Sequence, residues 1–185
     1  MRRLPFVFPV LLLSACGSQD SEAVAAPTTS QQAAAPAPSA PTAFTGPALS
    51  KDDLAAKVCF FTPAEVADKL GFTVAAGKPD TRQLQGYGMA SCVYDGSSNS
   101  LRVTAIWLDP AQVAPSRASM TRMSGGGKVE QLPGDADSAY LHDMQDNGTS
   151  LHYLRQNVRI QLHATSGAVP FATMKPRLLA LRRVP

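Results

Sequence analysis

The sequence predicts an α+β domain: an antiparallel sheet with helices packed on one face, in the order α-β-β-α-β-β-β-α. Three observations predict it. Apolar and polar residues alternate over Ser100–Leu108 and again over Leu151–His163, the period of a half-buried strand. Short turns, Asp95-Gly96-Ser97-Ser98-Asn99 and Gln156-Asn157, join runs that must therefore pair antiparallel. Around these runs stand stretches marked by helix-start and helix-stop residues.

Each element follows from its residues. Thr62-Pro63-Ala64-Glu65 is a capping box with proline at the first helical position, and Gly71 stops that helix. Phe61 and Val66 stand where a hydrophobic staple belongs. Tyr87–Tyr94 is the first strand and Ser100–Leu108 the second, with Leu101, Val103, Ala105 and Trp107 alternating against Arg102 and Thr104. A second helix is expected over Ala111–Met123, kinked or delayed by Pro115 and stopped by Ser124-Gly125-Gly126-Gly127. Asp137–His142 is a strand, and Asp146-Asn147-Gly148 a turn. Leu151–Arg155 and Val158–His163 form a hairpin whose two-residue turn opposes Leu151 to Leu162, Tyr153 to Ile160 and Arg155 to Val158. One face of this hairpin is apolar; the other, a wet face, carries His152, Arg159, Gln161 and His163. The last helix begins near Pro170, with Phe171, Met174, Leu178 and Leu181 at helical spacing and Pro176 as a kink. Its Lys175, Arg177, Arg182 and Arg183 read as a solvated face.

The chain ahead of this domain has a different character. Arg2 and Arg3 precede an apolar stretch, Leu4–Leu13, followed by the small residues Ser14 and Ala15 and then Cys16. This is the form of a secretory signal peptide over residues 1–15, and the stretch falls well short of the ~18 residues a membrane span needs. Leu13-Ser14-Ala15-Cys16 resembles the lipobox of bacterial lipoproteins. That resemblance implies lipid on the Cys16 sulfur, cleavage before it and acylation of the new amino terminus. Several acyl chains make a stable anchor where one does not. Gly17, in place of the aspartate common in lipoproteins kept at an inner membrane, favours the outer one. Residues 16–50 form the lipidated cysteine and a tether. Alanine, proline, serine, threonine and glutamine dominate it, and Val24, Phe44 and Leu49 are its sizeable apolar groups. Such a composition cannot bury enough surface to offset chain entropy. Residues 51–185 are the single folded domain.

The sequence has three cysteines, and with Cys16 committed to lipid, Cys59 and Cys92 remain. A pair in an exported chain most often forms a disulfide, and two distant cysteines without a Cys-x-x-Cys are a poor metal set.

Several of these motifs converge. Cys59-Phe60-Phe61-Thr62-Pro63-Ala64-Glu65-Val66, Gly71, Cys92-Val93-Tyr94 and Leu132-Pro133-Gly134-Asp135-Ala136-Asp137-Ser138-Ala139-Tyr140 together resemble a widespread class of bacterial lipoproteins of uncharacterised function. In that class a cysteine before a helix pairs with one in a Cys-x-Tyr or Cys-x-Trp strand. A Gly-Asp-x-Ala-Tyr strand follows, and Ala136 and Asp137 lengthen that spacing here. The resemblance implies a lipid-anchored extracytoplasmic domain. It brings no catalytic residues.

Charge and motif exclude other classes. The 185 residues carry 17 basic and 14 acidic side chains, a net charge of +3, too small for a nucleic-acid groove. Without Arg2 and Arg3 the balance is nearly even. Ser124-Gly125-Gly126-Gly127-Lys128 fails as a phosphate loop, because Arg122 and Val129 stand where glycine and serine or threonine are required. Asp143–Gly148 lacks the twelfth-position acid of a calcium loop, where Leu154 stands. His152 and His163 lie diagonally on the wet face, with His142 on the neighbouring strand, a constellation that a metal could share or that merely decorates a solvated sheet. Asp135 and Asp137 are paired carboxylates that turn chemistry explains more simply than acid–base work.

The expectation is a non-enzymatic, lipid-anchored envelope protein without cofactor. It would face the periplasm and bind another protein or an envelope component. An inhibitor or immunity protein against a wall-degrading enzyme, or a small-ligand or metal carrier, is the alternative. The anchor is directly testable: Cys16→Ser is expected to move the chain from the membrane to the soluble fraction. A variant still sedimenting with membranes would refute acylation there.

Overall fold

The structure, a computed structural model, describes residues 48–82, 88–123, 128–167 and 169–185. The signal peptide, Cys16, the tether as far as residue 47, Tyr87 and the glycine run at 124–127 lie outside the described residues.

The described chain is α+β, with four α-helices and a seven-stranded antiparallel sheet. In chain order the elements are α1 (Lys51–Lys57), α2 (Pro63–Leu70), β1 (Lys78–Asp80), β2 (Met89–Asp95), β3 (Asn99–Trp107), α3 (Pro110–Met120), β4 (Lys128–Gln131), β5 (Tyr140–Asp143), β6 (Thr149–Arg155), β7 (Val158–Ser166) and α4 (Phe171–Ala180). The sheet order is β1-β2-β3-β7-β6-β5-β4. Two meanders, β1–β3 and β4–β7, therefore meet along β3 and β7, and α3 carries the chain from the centre of the sheet to its far edge.

The hairpin register is the one its turn dictates: Leu151 opposes Leu162, Tyr153 opposes Ile160 and Arg155 opposes Val158. Gln156 takes a positive φ of 54° to close it. A single rung, Cys92–Val103–Leu162–Leu151–Leu141, crosses five strands on the inner face. Leu54 and Val58 from the α1 segment, Val66 and Leu70 of α2, and Met174 and Leu178 of α4 pack on that face.

Helix α2 is built as its sequence requires. Thr62 accepts from the Glu65 N–H at 3.2 Å, and Glu65 accepts from the Thr62 N–H at 3.1 Å. Gly71 caps the other end in the left-handed region, φ 76°. The Cys59–Cys92 disulfide ties the residues ahead of α2 to the middle of β2, across a sequence separation of 33. Beside it the Phe61 N–H donates to the buried Tyr94 hydroxyl at 2.9 Å. Closing a loop of that length stabilises by about 3–4 kcal/mol in the chain-entropy picture.

One feature of the architecture differs from expectation: the helices do not share a face. Met120 of α3 packs with Tyr140 and Leu154, and Tyr140 pairs with His152 on the side of the sheet opposite the inner rung. Leu154, two residues on from His152, thus lies under a helix and has no exposed surface. Helix α3 also starts at Pro110, capped by Asp109, and runs through Pro115. Proline at the sixth position removes one backbone donor, and the exposed helix tolerates the loss.

The basic residues of the C-terminus are a second difference. Arg177 donates to the Leu70 carbonyl at 2.8 Å, closing the end of α2. Arg182 binds Glu65 at 2.6 Å and the Phe60 carbonyl, closing its start. Lys175 pairs with Glu130, and Arg183 with Asp135 at 3.0 Å. These cations hold α4 and the tail onto the domain, Arg182 while still largely exposed, rather than forming only a solvated face. Asp135 and Asp137 are spent likewise. Asp135 accepts from the Asp137 and Ala139 N–H groups, and Asp137 pairs with Arg155 at 3.1 Å. Burial outweighs Arg155 and Arg183 and raises the Asp137 pKa.

Gly77 is the tightest point of the disulfide region. A Cβ there would stand 2.5 Å from Cys92 Sγ and 2.8 Å from the Tyr94 ring. Gly77→Ala is expected to destabilise the domain by roughly 1–3 kcal/mol, as overpacking does. Tyr94→Phe, which strands the buried Phe61 N–H, should cost about 1–2 kcal/mol. Urea melts of both variants check this; midpoints equal to the parent's would contradict the packing described.

Candidate functional site

The outer face of the sheet is divided. Helix α3 covers Leu154 and Tyr140 near the β5–β6 side. The β1–β2–β3–β7 half has no helix over it among the described residues. Its side chains come from alternate positions whose partners fill the core, so the same period that builds the core presents Ser91, Arg102, Thr104, Arg159 and Gln161 outward. The outer rungs run Ser91–Thr104–Gln161–His152–Tyr140 and Arg102–His163–Ser150–His142.

Three adjoining concavities form a trough across this face. One of about 540 Å³ lies at the β1 edge among Lys78, Asp80, Arg82 and Arg102. The next, about 200 Å³, shares Asp80 and Arg102 with it and adds Ser91 and Thr104. The third, about 240 Å³, shares Thr104 and ends against Ile106, Met123, Tyr140, His152, Arg159 and Gln161. Asp80 is held by Arg82, at 2.9 and 2.6 Å, which draws its pKa down to about 2. Arg102 and Arg159 are exposed and make no hydrogen bond or ion pair among the described residues.

The four residues of the expected wet face are brought together on this side, and they are unequal. Arg159 is open to solvent. Gln161 is half-buried and its amide approaches the Ser150 hydroxyl at 3.4 Å. His163 Nδ1 shares a 2.8 Å hydrogen bond with Ser150, and its Nε2 meets the Thr165 hydroxyl at 3.2 Å. His152 is not wet: its ring stacks on Tyr140 with centroids 4.5 Å apart and planes 5° from parallel. Burial pushes its pKa down to about 4, and His142, Arg159 and His163 add to the shift. Its Nε2 is buried without a hydrogen-bond partner. Sheet periodicity places His152 on the outer face but says nothing of the Tyr140 ring that stacks on it.

Two chemical readings fail on this geometry. No group of three metal-ligating side chains converges among the described residues, so His142, His152 and His163 do not form a metal cage. Ser150 and His163 have the contact of a nucleophile and its base, but Ser150 has no exposed surface and, among the described residues, no carboxylate orients the imidazole. The pair braces β6 against β7. The two arginines were the signal missing from sequence patterning, for Arg102 and Arg159 read like any exposed strand residue until most of the other arginines are seen to be engaged.

No protein-family model matches the chain, and no curated protein and no solved structure matches it.

The buried imidazole carries a pH dependence. His152 titrates near 6.5 in the unfolded chain and near 4 in the fold, so the unfolded state binds more protons between these values. Stability is therefore lost as pH falls from about 6.5 to about 4, by at most ~3 kcal/mol from this group. His163, also lowered by burial, adds to the loss in the same direction. His152→Phe keeps a ring against Tyr140 and is expected to flatten the pH profile of the urea midpoint over that range. An unchanged slope would assign the titration elsewhere.

Proposed function

We propose that this chain is a lipid-anchored binding protein of a bacterial envelope and that its domain engages an acidic partner on the open half of the outer sheet face. Acyl chains on Cys16 would hold it at a membrane, most favourably the outer one. The stretch over residues 17–50 would act as a spacer and the domain would project into the periplasm. The partner is another envelope protein or an envelope component, and the interaction is non-enzymatic.

The observation that carries this reading is the pair Arg102 and Arg159. A β-sheet face without a covering layer is ordinary in antiparallel sheets, and by itself says little. Here it bears two guanidinium groups that make no hydrogen bond or ion pair among the described residues, Arg102 with Asp80 nearby and Arg159 without an acid in its concavity, on a trough three concavities long. Unpaired arginines on a shaped surface are what recognition of carboxylates or other anionic groups uses. The disulfide and the buttressed α4 support the same reading, since a rigid surface loses less entropy when it binds.

The test compares the full chain with its Arg102→Glu/Arg159→Glu double variant as baits for envelope extract at low salt. Retention of one saturable partner is expected, weakened about tenfold or more in the variant and by added salt. Neither substitution touches a core contact, so the thermal midpoints should agree. Equal retention by both baits would remove the sheet face from consideration.

A further inference from the structure

We propose that the pocket between the Tyr140–His152 stack and Arg159 is a binding site for a small organic carboxylate with a flat apolar body. The proposal rests on reading the outer face as the binding surface, and it names the chemical group that surface takes.

Shape and lining lead to the class. The pocket measures about 240 Å³, room for a single ring bearing a carboxylate. One side is apolar, formed by Ile106, Tyr140 and Met123. Met123 is 43% exposed and is the large apolar side chain that the described domain leaves in water. Core packing gives no reason for it; a ring lying in the pocket would cover it. The other side offers donors: the Arg159 guanidinium, the Gln161 amide and the His152 imidazole.

Arg159 offers its planar fork to a carboxylate, with the Gln161 amide beside it, and the His152 imidazole lines the same pocket. The polar end of the ligand thus finds a charge and donors, and its ring finds the methionine and isoleucine.

Other ligand classes fit worse. A cation would meet Arg159 without a carboxylate beside it, because the acids of the trough, Asp80 and Asp95, line the concavities toward β1. A phosphate carries more charge than a single arginine answers, and it has no use for an apolar wall. Arg102 lines the neighbouring concavities and not this one.

Proton linkage supplies a second readout. The groups facing His152 are Tyr140 and His142 from β5, and Arg159 and His163 from β7, and the three charged or basic ones oppose its protonation. A bound carboxylate adds a negative charge beside the ring and favours the imidazolium, so the His152 midpoint must rise on binding.

The experiment uses the purified full chain with labelled histidine, followed by NMR. Its three histidines make the His152 ring signal assignable through its loss in His152→Phe. The probe is sodium benzoate, with benzamide and inorganic phosphate as comparators, all above pH 5. Benzoate is expected to shift the His152 signal saturably with a Kd of about 1 mM, fitting a ligand of this size. Benzamide and phosphate should bind about tenfold or more weakly, Arg159→Gln should weaken benzoate as much, and the His152 midpoint should move up in saturating benzoate. Arg159 is exposed, so the Arg159→Gln variant keeps its fold, which its thermal midpoint verifies. Failure of benzoate to saturate, equal binding of benzamide or phosphate, or indifference to Arg159→Gln would each overturn the proposal. If benzoate fails while partner capture still depends on Arg102 and Arg159, the pocket assignment alone falls. If capture fails and benzoate binds, the partner reading falls and the pocket stands.

Discussion

β3 and β7 pair along their whole lengths, from Asn99 against Ser166 to Trp107 against Val158, and this ladder is the seam on which the two meanders meet. It is a non-local pairing, so the chain must close a long loop before it forms, and the reward comes from both faces at once. On the inner side Leu101, Val103 and Ala105 meet Ala164, Leu162 and Ile160, all buried. At its end Trp107 and the hairpin turn together hold the chain leading into α1. Trp107 Nε1 and Asn157 Nδ2 both donate to the Leu49 carbonyl, and the Leu49 N–H donates to Asn157 Oδ1. A shift of one residue in this ladder would exchange the two faces of the sheet and with them core and surface.

That alternation has a consequence for function. Because every second residue of β3 and β7 is committed to the core, the remaining ones are free of packing duties wherever no helix lies over them. Helix α3 must travel from the end of β3 to the start of β4 at the opposite edge, and it covers Leu154 and Tyr140 on its way. Among the described residues the β1–β2–β3–β7 half stays open because the crossover does not pass there. The boundary between covered and open sheet falls at His152, whose ring is packed on Tyr140 while its edge lines the pocket. Buried imidazole and exposed guanidinium stand side by side there as a direct result of the topology.

The parts of the fold legible in the sequence are those fixed by local chemistry. The capping box at Thr62, the stop at Gly71 and the register around Gln156-Asn157 depend on residues close together, and each follows from backbone geometry. Helix α1 shows no such mark beyond Ser50 and Asp53, and its two core anchors, Leu54 and Val58, are too few for a pattern. Strand β1 reads Lys-Pro-Asp, without alternation, and is tolerated because an edge strand needs few ladder bonds. The site was half legible. Period two put His152, Arg159, Gln161 and His163 on one face, but how far each is buried depends on neighbours from elsewhere in the chain, Tyr140 above all for His152.

Arginine use is the main support for the proposal that the outer face is a binding surface. Arg177 and Arg182 close the two ends of α2, Arg117 donates to the Ala136 and Leu154 carbonyls, Arg155 and Arg183 hold Asp137 and Asp135, and Arg82 holds Asp80. Among the described residues this leaves Arg102, Arg122 and Arg159 without a hydrogen bond or ion pair, Arg102 having Asp80 nearby. Arg122 follows the end of α3, where a helix C-terminus favours a cation without any ligand. Arg159 has no such local reason, and Arg102 has only the Asp80 carboxylate that shares its concavities. Each stands in a strand, on a face where threonine or glutamine would satisfy the sheet equally well. Most of the domain's guanidinium groups brace its own elements, while Arg102 and Arg159 face the trough with no hydrogen bond or ion pair among the described residues.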